Sequence, residues 1–242
     1  MNWDPGLRMA AVVALGIALG GWFVGHGFAR GRAADRFVTV KGVSERPAKA
    51  DLALWPLRFV ATGQELGVVQ QEIVRGTARV FAFLRQQGID STQAELQELQ
   101  VTDVTANPYG PPRAGARFIL TQTVMVRSGT PETVLAASQR VGELVRAGVV
   151  LSSQGEYRGG GPTFLFTGLN ELKPAMIAEA TASAREAAEQ FARDSRSRLG
   201  AIRQASQGVF VILPRDQAPG VDEGGQIFKT VRVVTTVQYF LN

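Results

Sequence analysis

The residue types that most enzymes use for nucleophilic or metal-assisted catalysis are nearly absent from this chain of 242 residues. It contains no cysteine and a single histidine, His26. A serine triad needs a histidine base and zinc catalysis typically needs histidine or cysteine ligands, so both chemistries are excluded after residue 36. No Ser-x-x-Lys spacing accompanies the four lysines at 41, 49, 173 and 229. The absence of cysteine also excludes disulfides, thiol nucleophiles and iron–sulfur clusters.

Two further motifs could carry chemistry, and both have simpler interpretations. Gly159-Gly160-Gly161 lacks the Lys-Ser/Thr pair of a phosphate-binding loop and the spacing of a dinucleotide fingerprint, so it is interpreted as a turn. Asp222 and Glu223 lie in a loop rich in proline and glycine, where solvation is expected. A catalytic pair of carboxylates from distant parts of the chain stays an alternative, because one sequence does not reveal spatial neighbours. We therefore predict a protein that is not an enzyme, with no catalytic residue, no metal site and no cofactor.

The net charge of +5 raises the question of nucleic-acid binding, and its distribution argues against it. Residues 1–36 contain four arginines and two aspartates, which leaves 22 basic and 19 acidic residues, a net charge of +3, for the rest of the chain. Runs of five or more basic residues do not occur. Clustered lysines and arginines are the electrostatic footprint of nucleic-acid binding, so we expect no nucleic-acid partner.

The segment 9–29 carries 21 residues without a charge between Arg8 and Arg30. A helix of this length, at about 1.5 Å per residue, is roughly 31 Å long, which matches the hydrocarbon core of a bilayer. A cleaved signal peptide is the alternative, because Ala29-Arg30-Gly31 is a weak cleavage site, but the apolar run exceeds the usual length of about 7 to 15 residues. We predict a transmembrane helix at 9–29, within an anchor and basic flank at 1–36, followed by one domain at 37–242.

Glycines within this segment recur at a spacing of four residues. Gly16 with Gly20, and Gly21 with Gly25, would let a neighbouring membrane helix approach closely. Glycine is also common in membrane helices that do not associate, so helix packing is one of two interpretations.

Arginines that flank the segment bear on its orientation. Arg30, Arg32 and Arg36 follow it, whereas Arg8 alone precedes it. Arginines in this position are expected to contact lipid headgroups, and the positive-inside rule places the side with more of them in the cytoplasm. Taken alone, this rule predicts a cytoplasmic domain.

Hydrophobic periodicity predicts an α+β fold of mostly antiparallel strands with three helices after the anchor. Pro56 indicates a sheet edge or a bulge. Thr62-Gly63-Gln64-Glu65 matches a capping box for the first of these helices, and Asn170 is predicted to cap the last. The predicted strands are 37–43, 51–61, 96–104, 117–127, 149–151, 163–167, 208–213 and 227–240, and the helices are 66–84, 131–147 and 170–199.

Apolar stripes on two of these helices predict which side faces a core. In the second helix the stripe consists of Val134, Val141, Leu144 and Val145. The stripe of the last helix is made of small residues, which predicts close packing on a sheet: Met176, Ala180, Ala184, Ala187, Ala188 and Phe191.

Three stretches, taken in order, resemble the SIMPL-domain family of bacterial envelope proteins. They are Val38 to Pro47 (VTVKGVSERP), Ala182 to Gly200 (ASAREAAEQFARDSRSRLG) and Val231 to Phe240 (VRVVTTVQYF). In that family a strand similar to V-x-G-x-G leads to a Pro-Asp, and an Ala/Arg-rich helix ends in Leu-Gly before a strand. Two departures stand out: Ser44 occupies the place where the second glycine is common, and Asp51 lies four residues after Pro47.

The resemblance covers about residues 37–242 and carries its own expectations. It implies a periplasmic or envelope location, large ring- or cage-like homo-oligomers in some members, a loose association with oxidative or envelope stress, and no established catalytic residues. It therefore favours a single-pass inner-membrane protein with its domain in the periplasm, against the cytoplasmic orientation that the arginines predict.

Three hypotheses of function remain. In the first, the chain is a membrane-anchored scaffold that forms a closed homo-oligomer through exposed strand edges and loops. In the second, it is a binding or adaptor module that recruits a protein partner or small ligand through loops 105–116 and 214–226. Tyr109, Tyr157 and Arg158 are the loop residues singled out for such contacts. The third is an unrecognised hydrolase with spatially paired carboxylates.

Overall fold

The computed structural model describes residues 5–33, 36–106, 115–152 and 161–242; in the first of these segments it describes the side chains at 9 and 13–27. These residues form five α-helices and nine strands. The helices are α1 (Pro5–Ala33), α2 (Leu66–Gln86), α3 (Pro131–Gln139), α4 (Gly142–Arg146) and α5 (Leu169–Asp194). The strands are β1 (Phe37–Lys49), β2 (Leu52–Gly63), β3 (Ala94–Asp103), β4 (Phe118–Ser128), β5 (Val150–Leu151), β6 (Thr163–Leu165), β7 (Leu199–Gln207), β8 (Val211–Pro214) and β9 (Phe228–Leu241).

The chain divides into two compact units, which are described separately. Unit 1 comprises Met1–Ser44, Pro174–Phe210 and Val233–Asn242, and unit 2 comprises Glu45–Lys173 and Val211–Arg232. The registered strand pairs are all antiparallel, which confirms the predicted mixture of helices with antiparallel strands. The division of the chain into 1–36 and 37–242 stays a prediction.

Unit 2 is built on a five-stranded sheet. The strand order is β3-β4-β2-β5, and β6 also pairs with β2. Alternate residues of β2 are buried, and α2 packs on that face because its apolar positions recur at helical spacing. The core contains Trp55, Leu57 and Phe59 of β2 with Val69, Ile73, Val80 and Leu84 of α2.

Both predicted local features of the helices in unit 2 need correction. The capping box before α2 is wrong: Glu65 is the N-cap residue and makes no side-chain capping bond. The capping box does not form because β2 continues through Gly63, so Thr62 pairs with Ile119 in the sheet. The single helix predicted after Pro131 is two short helices, and Val145, predicted to face the core, is 57% exposed.

The start of α5 lies in unit 2 and is held by a residue far away in the sequence. The carboxylate of Asp51 accepts hydrogen bonds from the backbone N–H groups of Thr167 (2.9 and 3.0 Å) and Gly168 (3.1 Å) and from the Thr167 hydroxyl (3.0 Å). Asn170, the predicted cap, instead accepts a bond from Lys173 within the helix. The helix therefore begins where the β1–β2 turn meets β6.

In unit 1, the larger part of α5 packs against β1 and β9. Its buried positions repeat every four residues, and Val38, Val237 and Tyr239 complete a small core with two of them. Ala187 and Phe191 lie one position beside this stripe and are exposed, so their predicted burial is wrong. Close packing of helix on sheet is confirmed, and the buried stripe is Met176, Ala180, Ala184, Ala188 and Ala192.

The end of α5 differs from the prediction. The helix ends at Asp194, and Arg196 adopts a left-handed conformation (φ 54°) while the N–H of Ser197 donates to the Ala192 carbonyl at 2.9 Å. This arrangement is a Schellman motif, in which glycine usually occupies the left-handed position. Because an arginine occupies it here, the sequence pointed to Gly200 instead. The strand β7, which starts at Leu199, was therefore missed.

Within the part of the chain that the structure describes, no helix is both long and apolar enough to cross a membrane. The predicted transmembrane helix at 9–29 is therefore not supported by the structure.

Candidate interaction surfaces

The outer strand of the five-stranded sheet, β3, lacks a packed face. Ala94 is its only buried residue, and every side chain from 95 to 102 is exposed, on both faces of the strand. Leu96, Leu99 and Val101 are 51%, 47% and 52% exposed, and Glu95 and Glu98 add two negative charges. We call residues 95–102 the acidic edge. An unpaired edge that also shows apolar side chains is a surface suited to protein association.

A β-bulge organises the acidic edge. The register with β4 shifts between Leu96, which pairs with Val124, and Leu99, which pairs with Gln122. Residues three apart in a regular strand point to opposite faces, so without this bulge the two leucines would diverge. With it, both lie on the side of the sheet to which Val124 and Gln122 point.

Gln122 stabilises this bulge from within the sheet. Its side chain is 6% exposed, and its amide nitrogen donates to the carbonyl oxygens of Gln97 at 2.9 Å and Glu98 at 3.4 Å. These carbonyls belong to the two residues that the register shift skips. Gln122 was not among the residues singled out from the sequence, although its place in the alternating strand between Leu120 and Val124 was a usable signal.

A second free edge lies in the other sheet, whose strand order is β1-β9-β7, with β8 also paired to β9. Every side chain of β7 from 201 to 207 is exposed, and Ile202 is 53% exposed. Arg203 lies over the Phe37 ring at 4.1 Å from its centre, and Arg198 precedes the strand. We call residues 198–207 the basic edge. Its register with β9 is interrupted twice, between Leu199 and Gln204.

The predicted interaction loop 105–116 has a well-defined base. Asp103 accepts bonds from Arg117 (3.1 Å to Nη2) and from the Thr105 hydroxyl (2.7 Å) and N–H (2.9 Å). Hydrogen bonding to Arg117 first, then to Thr105, lowers the pKa of Asp103 from 3.8 to about 2. Tyr109 itself lies outside the described residues. These bonds hold Asp103, Thr105 and Arg117 together at the base of the loop.

The second predicted loop, 214–226, rests on a buried lysine. Lys229 is 1% exposed; its ammonium group donates to the Glu223 carbonyl at 2.7 Å and pairs with the Glu223 carboxylate. Asp222 caps the following turn by accepting from the Gly225 N–H at 3.1 Å. The expectation that both carboxylates are simply solvated is therefore wrong. Alternation along β9 puts Lys229 on the buried side with Val231 and Val233, which the sequence could have shown.

A cavity of about 370 Å³ lies beside β2, between the places where β5 and β6 pair with it. Ser152 donates its N–H to the Arg58 carbonyl (2.9 Å), so by alternation the backbone of Pro56 also faces this gap. Pro56 has no N–H to donate, but its backbone faces the gap and not β4, so no bond to β4 is lost. This explains how a proline fits in a strand that is paired with β4 along its length. Arg58, Ser138, Val141 and Leu151 are among the lining residues. Tyr157 and Arg158 lie outside the described residues.

The residues predicted to act at a membrane are placed only in part. A Cβ added at Gly16, Gly20, Gly21 or Gly25 would meet nothing within 4 Å, so these positions of α1 are open in the structure. Arg36 is exposed, and the side chains of Arg30 and Arg32 lie outside the described ones. Lipid contact and helix packing at these residues stay predictions.

Neither the acidic nor the basic edge offers a catalytic constellation. Among the described residues there is no group of three or more His, Cys, Asp or Glu side chains that could hold a metal ion. The chain's lack of enzymatic activity stays a prediction. The acidic and basic edges are surfaces that the structure exposes for contact with other molecules.

The model of the family named SIMPL, described as a protein of unknown function (DUF541), matches residues 38–239. No curated protein matches the chain. The matched segment contains the three stretches that carry the resemblance, from VTVKGVSERP to VRVVTTVQYF, apart from the final residue of the latter. The chain belongs to the SIMPL family.

Proposed function

We propose that this protein is a non-enzymatic scaffold of the bacterial envelope, held at the inner membrane by α1 with its SIMPL region in the periplasm, which self-assembles into a closed homo-oligomer. The observation that carries this proposal is the exposure of α1. Every side chain from 13 to 27 is exposed. The large apolar ones are 51–74% exposed: Val13, Leu15, Ile17, Leu19, Trp22, Phe23 and Val24.

Such a helix is costly to leave in water. Full burial of one large apolar side chain stabilises by about 1.5 to 3 kcal/mol, so covering seven of them is worth on the order of 10 kcal/mol. Lipid provides that cover on every side of the helix. Sister helices provide it in addition, since the open positions at Gly16 and Gly20 allow close approach. Membrane attachment and self-association thus draw on the same helix.

Membrane attachment is tested by extraction of membranes at alkaline pH. We expect the full chain to stay in the membrane pellet and a reporter fused after Asn242 to be active only outside the cytosol. Leu19→Arg should release part of the protein, whereas Val209→Arg, at a position 83% exposed outside α1, should not. Complete release of the wild type at high pH, or a cytosolic reporter signal, would contradict this part of the proposal.

Self-assembly is tested by measuring mass in a mild detergent. We expect a discrete oligomer at micromolar concentration. Gly20→Ile should reduce its population if α1 helices pack through the glycine pairs, and Gly27→Ile, equally open but outside both pairs, should leave it unchanged. A wild-type monomer under these conditions would contradict the proposed function.

A binding module is the second candidate, and the cavity beside β2 favours it. Its volume of about 370 Å³ falls within the range of roughly 300 to 1,000 Å³ that is common for small-molecule sites. Native mass spectrometry of the purified chain should then show a co-purifying small molecule. Ser138→Phe, which fills the cavity, should abolish it, whereas Ala136→Phe on the exposed side of α3 should not. Absence of any bound molecule in the wild type would remove support for this candidate.

A further inference from the structure

Two strands of this molecule are exposed to an unusual degree. Strands in antiparallel sheets commonly bury one face, but the acidic edge exposes every side chain from 95 to 102 and the basic edge every side chain from 201 to 207. Among the residues that the structure describes, each is the outermost strand of its sheet, so each also has an unpaired row of backbone N–H and C=O groups. Both therefore have polar backbone groups and side chains that a second chain could cover.

The charges of these two edges are opposite. Glu95 and Glu98 project from the acidic edge, and Arg198 and Arg203 belong to the basic edge. Two acidic edges from different copies would bring four carboxylates together, and two basic edges would bring four guanidinium groups together. Like charges across an interface cost several kcal/mol in general, so each edge disfavours its own kind.

Apolar side chains lie among the charges on both edges. Leu96, Leu99 and Val101 are about half exposed on the acidic edge, and Ile202 is 53% exposed on the basic edge. The bulge held by Gln122 gathers the two leucines on one side of β3, which makes a continuous apolar strip beside the glutamates. An apolar strip flanked by charge has the composition of a protein interface core with a polar rim.

We propose that the acidic edge of one copy docks on the basic edge of a second copy of this chain, an inference that rests on the proposed self-assembly. The regular stretches Leu99–Asp103 and Gln204–Gln207 supply backbone groups for pairing between copies. The glutamates and arginines beside them supply the charge match. The contact joins two different surfaces, so a docked pair of copies keeps one acidic and one basic edge free for the next copies. Repetition closes a ring when the rotation per copy divides a full turn.

Charge reversal in the full chain, in mild detergent, tests this docking. Two variants each reverse a single edge: Glu95→Arg/Glu98→Arg gives a chain with two basic edges, and Arg198→Glu/Arg203→Glu gives a chain with two acidic edges. We expect each variant alone to associate at least about tenfold more weakly than the wild type, because like charges meet at every contact. Glu186→Arg, a charge reversal at an exposed position of α5 outside both edges, should assemble as the wild type does.

Mixing the two variants gives the sharpest readout. The unchanged basic edge of one variant meets the unchanged acidic edge of the other, and the two reversed edges also match, so the mixture should recover the wild-type mass. A double variant with both edges reversed, which carries all four substitutions, should recover it as well. A folding defect would not be rescued by mixing. If the thermal unfolding of either variant shows that it has lost its structure, the single substitutions Glu98→Arg and Arg203→Glu replace the pair; each cancels the net charge of its edge and should weaken association less.

The outcomes separate this inference from the proposed function. A wild-type chain that is a monomer overturns self-assembly itself. A wild-type oligomer whose mass neither reversal changes, or whose loss neither mixing nor the double variant repairs, overturns the docking of the two edges and leaves the proposed self-assembly standing.

Discussion

The hydroxyl group of Ser44 on β1 donates a hydrogen bond of 2.8 Å to Oε2 of Glu179 on α5. Ser44 is 4% exposed and stands where the second glycine of the family's strand motif is common. Two residues earlier, Gly42 keeps the glycine that brings β1 close to α5. In this chain β1 thus approaches the backbone of α5 closely at Gly42 and donates a side-chain hydrogen bond to the helix from Ser44.

Ser44→Ala should lower the free energy of unfolding by about 1 kcal/mol, the usual net worth of one such hydrogen bond. Glu179→Gln keeps an acceptor oxygen and should cost less. Urea unfolding of the full chain in detergent measures both. Equal stability of Ser44→Ala and the wild type would show that the bond contributes nothing.

Gly42→Ala should be far more damaging. A Cβ at this position would lie 1.8 Å from the Ala180 carbonyl oxygen and 2.5 Å from the Ala184 nitrogen, and both are backbone atoms that cannot turn away. We expect a loss of roughly 3 kcal/mol or more, in the range of severe overpacking. The midpoint of thermal unfolding measures it.

Gly67→Ala on α2 is the matched control for this glycine. Nothing lies within 4 Å of a Cβ there, and alanine is the better helix former by about 1 kcal/mol. It should be neutral or stabilising. If both substitutions had the same effect, the close approach of β1 to α5 could not be the reason for Gly42.

The Asp103–Arg117 pair should make stability depend on acid pH. The pKa of Asp103 in the folded protein, about 2, lies below its ordinary value of 3.8. The contribution of the ionised Asp103 to folding stability is therefore present above pH 4 and is lost as the pH falls towards 2. Asp103→Asn removes this contribution. Its difference in unfolding midpoint from the wild type should therefore be largest near pH 5 and shrink between pH 4 and 2; a constant difference would contradict the assignment.

Substitution of Glu223 and substitution of Lys229, which form a buried pair, should lower the free energy of unfolding by unequal amounts. Glu223→Ala leaves a fully buried ammonium without its carboxylate, which typically costs about 3 to 5 kcal/mol. Lys229→Met replaces the charge with an apolar chain of similar length and leaves Glu223, 31% exposed, able to reach water, so it should cost much less. Denaturant unfolding of the two variants compares them, and a larger loss for Lys229→Met would contradict this account.

Local patterns in the sequence were enough for much of the architecture. The alternation in β2, β4 and β9 and the helical spacing of Val69, Ile73, Val80 and Leu84 predicted these elements close to their observed bounds, because each buries one face against a core. The small stripe of α5 likewise predicted its close packing. Helix ends were less predictable: the Schellman motif at Arg196 has no glycine to mark it.

The amino-acid sequence by itself determined the family, the exclusion of cysteine and histidine chemistry in the folded part, and the alternation of strands and helices, since each depends on residue type or on short-range spacing. Only the tertiary structure decided which strands are edges, that Gln122 holds the bulge of β3, that Asp51 holds the turn before α5 through Thr167, 116 residues away, and that Lys229 is paired. These facts depend on contacts between residues far apart in the chain. A single sequence carries no record of such contacts, because side chains meet only once the sheets have formed.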